Sequence, residues 1–306
     1  MLGAAAYYIL VYPLSLLPLW VLYRFSDFFY LLLITIIPYR KKIILKNLRR
    51  SFPEKSEKEI QKIKRDFYRH LSDLLAESTK NLSLSKEKLQ KRFVVENKEI
   101  IDQLYQNKKS VLLVSGHYNN WEWLISAQNL IFSHQAVGVG MPLTNGFWNK
   151  KLNTKRARFG MEIIHSANVY DFFDNNQKVI ATLVLADQSP GDSKKSYWTN
   201  FLNQKSGFVF GPELLANKYD HAVVYFEIIK EKRGYYRMRL KEITTEPRET
   251  EYGEIILKFT ELLEETIQKA PEYWLWSHNR WKRDIPNNLD VLHDKHKLEF
   301  EKRFRN

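Results

Sequence analysis

Cysteine is absent from this chain of 306 residues. Its absence excludes disulfides, a thiol nucleophile and any zinc or iron–sulfur site built on thiolates. Two motifs are missing as well. Without a G-x-S-x-G elbow a serine hydrolase is disfavoured, and without H-E-x-x-H the histidines offer no ready zinc site. No repeat or low-complexity linker divides the chain. No basic stretch carries the interleaved aromatics of a nucleic-acid module, so nucleic acid is not an expected partner. Charge itself is missing from residues 2–23, LGAAAYYILVYPLSLLPLWVLY.

What is present is apolar, aromatic and basic. Apolar residues make up 44% of the chain, enough for a sizeable core, and aromatics reach 14%. Such rings favour cores, ligand clefts and membrane interfaces. The net charge is +13. Residues 1–39 contain one Arg and one Asp, so all of that excess sits in residues 40–306. A basic surface suits an anionic membrane or a phosphorylated substrate.

The uncharged run is long enough to span a bilayer. Arg24 and Asp27 interrupt it before a second run, FFYLLLITIIPY, and the basic segment RKKIILKNLRR follows at residues 40–50. Pro13 and Pro18 kink a helix. The expectation is a bent or hairpin-like membrane anchor over residues 1–39, with Arg40–Arg50 on the cytoplasmic side, followed by one domain over residues 40–306. No basic n-region or small-residue cleavage site marks a signal peptide.

Beyond the anchor, residues 53–80 place Ile60, Ile63, Phe67, Leu71, Leu74 and Leu75 at helical spacing, with Ser56 and Glu59 forming a capping box. His70 lies near the apolar face and is expected to be structural. From residue 110 short apolar runs alternate with helical patterns: strands are expected at 110–116, 136–141, 160–165, 178–187 and 222–231. Residues 235–243 should return antiparallel after a turn at Gly234. A late amphipathic helix starts at Glu254, and the charged tail reads as a helix or a frayed end. The predicted fold is α/β, a mostly parallel central sheet flanked by helices.

The segment VLLVSGHYNNWEW, residues 111–123, carries the chemistry. Ligands collect at the carboxyl ends of parallel strands, and His117 lies just past one. Asn119 or Asn120 is a candidate cap for the next helix, which puts Glu122 near its first turn. On a continuous helix five residues turn about 140° away from one another. A loop at His117 would instead fold the ring back toward Glu122, leaving one ring nitrogen as a base. Trp121 and Trp123 either pack the helix or line an acyl tunnel.

This H-x-x-x-x-E segment resembles the signature of membrane glycerolipid acyltransferases, and the chain resembles most closely the lipid A biosynthesis late acyltransferases. Supporting segments follow in order: RSFPEKSEKEI (50–60), KRARFGMEII (155–164), LADQSPGD (185–192), FGPELLA (210–216) and APEYWLWSHNRWKR (270–283). The acidic residue is Glu rather than Asp, and the phosphate-binding F-P-E-G-T-R block of the glycerol-phosphate branch is missing; both favour the lipid A-like branch.

The resemblance implies transfer of a fatty acyl chain from an acyl-carrier-protein or CoA thioester to a hydroxyl of a lipid acceptor, a lipid A precursor or a related glycolipid or aminolipid. It implies an enzyme at the bacterial inner membrane, its catalytic domain on the cytoplasmic side, with the acyl carrier protein as partner and no metal or cofactor beyond the thioester co-substrate. His117 would be the base and Glu122 its partner. Arg156 and Arg158 would bind phosphate or hold the acceptor, and Asp187 and Gln188 would orient an Arg or position the acceptor. Gly211 would shape a turn, Glu213 would cap the next helix or pair with a base, and His278 and Arg280 would meet headgroups or the carrier. The competing readings are a lipid hydrolase or thioesterase, and a non-catalytic membrane protein that binds anionic lipid.

Overall fold

The computed structural model describes residues 2–37 and 39–305. Its N-terminal part is helical: α1 (Leu2–Ala5), a π-helical turn (Ala6–Val11), α2 (Tyr12–Leu16), α3 (Leu19–Thr35), α4 (Lys41–Ser51) and α5 (Glu57–Asn81). Pro18 divides the uncharged run. A residue before proline is driven out of the helical region, and Leu17 is extended at ψ 151°. Among the described residues no helix is long and apolar enough to cross a membrane, so the bent or hairpin-like membrane anchor expected over residues 1–39 is not supported.

α3 folds against α5 and buries Leu19, Leu22, Ser26 and Leu33. Ser26, in the middle of its inner side, donates to Asp73 at 2.9 Å, and Tyr23 donates to Glu77 at 2.7 Å. Arg233 reaches both Asp27 and Asp73. Trp20, Phe25, Phe28 and Leu31 point outward and are more than half exposed. α5 begins as expected, with Ser56 and Glu59 completing a capping box. His70, on α5, is buried against Tyr273.

The α/β body follows: α6 (Lys86–Gln90), β1 (Phe93–Val95), α7 (Glu99–Gln106), β2 (Val111–Ser115), α8 (Trp121–Ile131), β3 (Gln135–Gly140), α9 (Gly146–Arg156), β4 (Glu162–His165), α10 (Val169–Asn175) and β5 (Ile180–Leu185). Then come β6 (Ser196–Phe201), β7 (Gln204–Val209), α11 (Gly211–Tyr219), β8 (Ala222–Lys232), β9 (Tyr235–Thr244), α12 (Glu254–Lys269) and α13 (Leu289–Phe304).

Seven strands form one sheet in the order β1-β9-β8-β2-β5-β3-β4. Every neighbouring pair is parallel except β8 with β9, which turn at Gly234, where φ is +70°. Central β2 is wholly buried between β5 and β8, with Val111 opposite Ala181 and Ala222. Helices on both faces cover it, which explains why its sequence is a continuous apolar run. β6 and β7 form a separate antiparallel ribbon. Neither that ribbon nor β1 is expected from the sequence: β1 has only three residues, and the ribbon's strands mix Trp, Tyr and Phe with Lys, Gln and Asn.

Candidate active site

β2 and β5 end side by side, and each delivers one functional residue. The chain leaves β2 through Gly116 to His117, and leaves β5 through Ala186, whose N–H donates to Ser115 O, to Asp187. Gly116 makes this approach possible: a Cβ there would lie 3.0 Å from Asp187 Oδ2 and 2.9 Å from Leu263 Cδ1.

His117 Nδ1 lies 2.6 Å from Asp187 Oδ1, and the His117 backbone N–H donates to Asp187 Oδ2 at 2.9 Å. Trp274 Nε1–H donates to the same oxygen at 2.8 Å. Burial alone would raise the Asp187 carboxyl. The imidazole beside it and these hydrogen bonds outweigh burial and hold it below the usual aspartate value. An ionised Asp187 fixes the proton on Nδ1 and leaves Nε2 as the basic nitrogen. Nε2 meets the Gln188 side-chain amide at 3.2 Å, and the Trp121 ring stands edge-on to the imidazole at 5.2 Å.

The sequence-based pairing of His117 with Glu122 is therefore corrected: the carboxylate on the ring is Asp187. Local geometry explains why. Asn119 adopts the left-handed region at φ +54°, which asparagine tolerates, and its side-chain amide donates to Ile228 O at 2.7 Å. Asn120 caps α8, accepting from Trp123 N–H at 3.0 Å, and its own amide donates to Glu77. With the turn pinned at both asparagines, Glu122 points away from the ring and pairs with Arg156. Arg156 Nε donates to Oε2 at 3.1 Å, and Nη2 grips Oε1.

This bidentate pair borders a cavity of about 270 Å³. Its wall is mostly apolar, with Leu71, Leu74, Leu75 and Leu82 from α5 and its following turn, Trp121 from α8, Leu152 from α9 and Leu275. Leu275 also ties the cavity to the site, because its N–H donates to His117 O. Arg158 does not line the cavity. Its guanidinium donates to Asn81 Oδ1 and Leu84 O, and burial pushes it down to about 10. Of the two arginines, Arg156 is the one beside the cavity.

The loop after β5 continues the network. Ser189 N–H donates to His278 Nε2 at 3.1 Å, and burial pushes that imidazole down to about 4, so it stays neutral as an acceptor. Arg280 is buried, donates through Nη2 to Gly207 O at 2.6 Å and stacks over Phe208. Glu213 is engaged elsewhere. It starts α11 after Gly211, and its buried carboxylate accepts from the N–H groups of Gly253 and Ile256 at the start of α12. Burial pushes it up to about 7 despite those two bonds.

The structure thus gathers His117, Asp187, Gln188 and His278 along one path and Glu122 with Arg156 along another; Gly211 and Glu213 lie apart from both. Three residues outside the expected set belong to the site: Asn119, Asn120 and Trp274. Their signals were present, as paired asparagines after a strand and as a tryptophan within the C-terminal block.

Comparison with known proteins identifies the family. The chain is 22% identical over 245 residues to the lipid A biosynthesis palmitoleoyltransferase of Escherichia coli (strain K12), covering 79% of each protein. It has the same identity and coverage with the lipid A biosynthesis acyltransferase of Shigella flexneri. The family profile of bacterial lipid A biosynthesis acyltransferases matches residues 1–283, and the chain is an acyltransferase that belongs to that family.

Proposed function

We propose that this enzyme moves a fatty acyl chain from a pantetheine thioester, on an acyl carrier protein or CoA, to a hydroxyl of a lipid A precursor or a related glycolipid or aminolipid. The observation that carries this reading is the His117–Asp187 dyad, standing at adjacent strand ends beside an apolar cavity. An acceptor hydroxyl replaces the Gln188 amide at Nε2 and gives up its proton there as its oxygen attacks the thioester carbonyl. The C–S bond then breaks, and the imidazolium returns the proton to the departing thiolate. The thioester is already activated, so no enzyme nucleophile is needed. General-base assistance of this kind is worth roughly 10²–10⁴ in rate.

Asp187 holds the ring and offsets the imidazolium charge as it forms. Glu122 serves a different purpose, fixing the Arg156 fork where a phosphate or polar headgroup meets the apolar cavity. The exposed rings of α3 support docking at a bilayer surface rather than a span across it. Soluble helices turn such residues inward, and a contiguous apolar face marks an interaction surface.

His117→Ala tests the reading. With circular dichroism confirming the fold, transfer of a labelled acyl chain to the lipid is expected to fall at least a hundredfold. Activity within tenfold of the parent removes His117 as the base. Release of free fatty acid by the parent, with no acylated lipid, assigns hydrolysis instead.

A further inference from the structure

A second cavity, about 620 Å³, opens beyond the loop that carries Asp187 and Gln188. Four cations line it, Arg50, Lys205, Arg280 and Arg283, against a single carboxylate, Asp284. None of the four makes an ion pair among the described residues, although the molecule pairs its arginines freely elsewhere: Arg156 with Glu122, Arg233 with Asp73 and Arg239 with Glu96. Arg280 is the telling member. It is 2% exposed, its Nε finds no hydrogen-bond partner, and its Nη2 has only a backbone carbonyl. A guanidinium held in a low-dielectric wall with an unmet donor suits a bidentate oxyanion.

We propose that this cavity is a phosphate-binding subsite, and that the phosphate it takes is the one on the acyl donor's pantetheine arm. The inference rests on the thioester-donor reading above. Position supports it: Pro190, in the cavity wall, accepts from Arg283 Nε at 2.9 Å and lies two residues from Gln188, whose amide touches His117. Those two Cα atoms are at most about 8 Å apart, so the cavity lies within reach of the base for an arm as long as pantetheine. Lining chemistry supports it too. No residue of α1, α2 or α3 borders this cavity, whereas the leucine-walled cavity is built from α5 and α9, the helices against which α3 and α1 pack. The polar cavity thus suits the water-borne substrate and the apolar one the lipid.

The test compares two donors with the full chain in detergent: S-dodecanoyl-4′-phosphopantetheine and S-dodecanoyl-pantetheine, which differ by the phosphate alone. The parent is expected to show a KM at least tenfold lower for the phosphorylated donor. Arg280→Gln risks misfolding, so the exposed pair is changed instead, as Arg50→Gln with Lys205→Gln. This variant should raise KM for the phosphorylated donor tenfold and leave the other donor unchanged. Calorimetry with 4′-phosphopantetheine alone should show the same tenfold weakening.

Equal KM values for the two donors in the parent, or an unaltered ratio in the variant, would overturn the subsite. If the variant instead erases discrimination between a phosphorylated glucosamine-disaccharide lipid acceptor and its dephosphorylated form, the donor assignment fails. Should no thioester support transfer, the acyl-transfer reading falls by itself. Calorimetry then decides the subsite: tenfold weaker binding in the variant supports it, and binding that the substitutions do not alter, or no binding, overturns it.

Discussion

At His117 two carboxylates are candidates for one role, and distance decides between them. Asp187 lies 2.6 Å from Nδ1, while both oxygens of Glu122 are taken by Arg156. Asp187→Asn and Glu122→Gln should therefore behave differently. Asparagine cannot hold the Nδ1–H tautomer as a charged acceptor, so kcat is expected to fall about 10²–10⁴-fold with an altered pH–rate profile. Glutamine at 122 weakens the Arg156 fork; it should raise KM for the lipid acceptor and leave the pH profile of kcat in place. Steady-state acyl transfer across pH reads both, and equal losses with identical profiles would return Glu122 to the ring. The residues of the dyad were legible in the sequence, each just past an apolar strand. Their pairing was not, because they are 70 positions apart and meet only once β2 and β5 are neighbours in the sheet. Sequence proximity favoured Glu122, five positions away, yet the helical rotation that starts at Trp121 carries it off the ring.

On the scale of elements, α3 is apolar on both sides: Leu19, Leu22 and Leu33 are buried on the inner side with Ser26, while Trp20, Phe25, Phe28 and Leu31 face outward. The ties to Asp73 and Arg233 explain the orientation. Partly buried ion pairs and hydrogen bonds fix the inner side beside Leu19, Leu22 and Leu33, which leaves the remaining large apolar residues on the outer side. Phe28→Lys and Leu31→Lys test what the outer face is for. Each removes burial worth roughly 1.5–3 kcal/mol at an interface, so co-sedimentation with phosphatidylethanolamine–phosphatidylglycerol vesicles should drop tenfold or more while the thermal midpoint stays put. Unchanged vesicle binding would leave α3 without a membrane role. Element legibility followed hydrophobic continuity. β2 is apolar almost throughout and β8 over its first five residues, and both were readable, as were α5 with its capping box and the turn at Gly234. The bent anchor expected over residues 1–39 is not supported: the break expected at Pro18 is there, but it leaves α3 with 17 residues, and no helix among the described residues is long and apolar enough to cross a membrane.

For the whole molecule, the buried imidazoles set a pH response. Burial holds His221 and His278 down at about 4, and His70 and His134 are lowered for the same reason. Each stays neutral when folded and takes up a proton on unfolding once the pH drops below the ordinary histidine value of 6.5. Their contribution is complete above that value and is lost progressively as pH falls toward 4. For His221, 8% exposed, the loss is on the order of 3 kcal/mol at most; half-buried His278 contributes less. Glu213 works in the opposite sense. Its raised carboxyl favours the neutral form, so its share is present at low pH and lost as pH rises through about 7. Burial raises the Glu77 carboxyl too; four histidines still outnumber these two carboxyls, and self-repulsion within a chain of net charge +13 grows in acid. Urea unfolding should therefore show stability falling from pH 6.5 to pH 4. His221→Phe keeps the ring packed against Phe173 and Tyr219 while removing the titrating group, and should flatten part of that slope without lowering stability at pH 7.5. A slope unaltered by the substitution would mean that His221 is protonated in the folded protein, and the acid sensitivity would then have to come from the remaining groups.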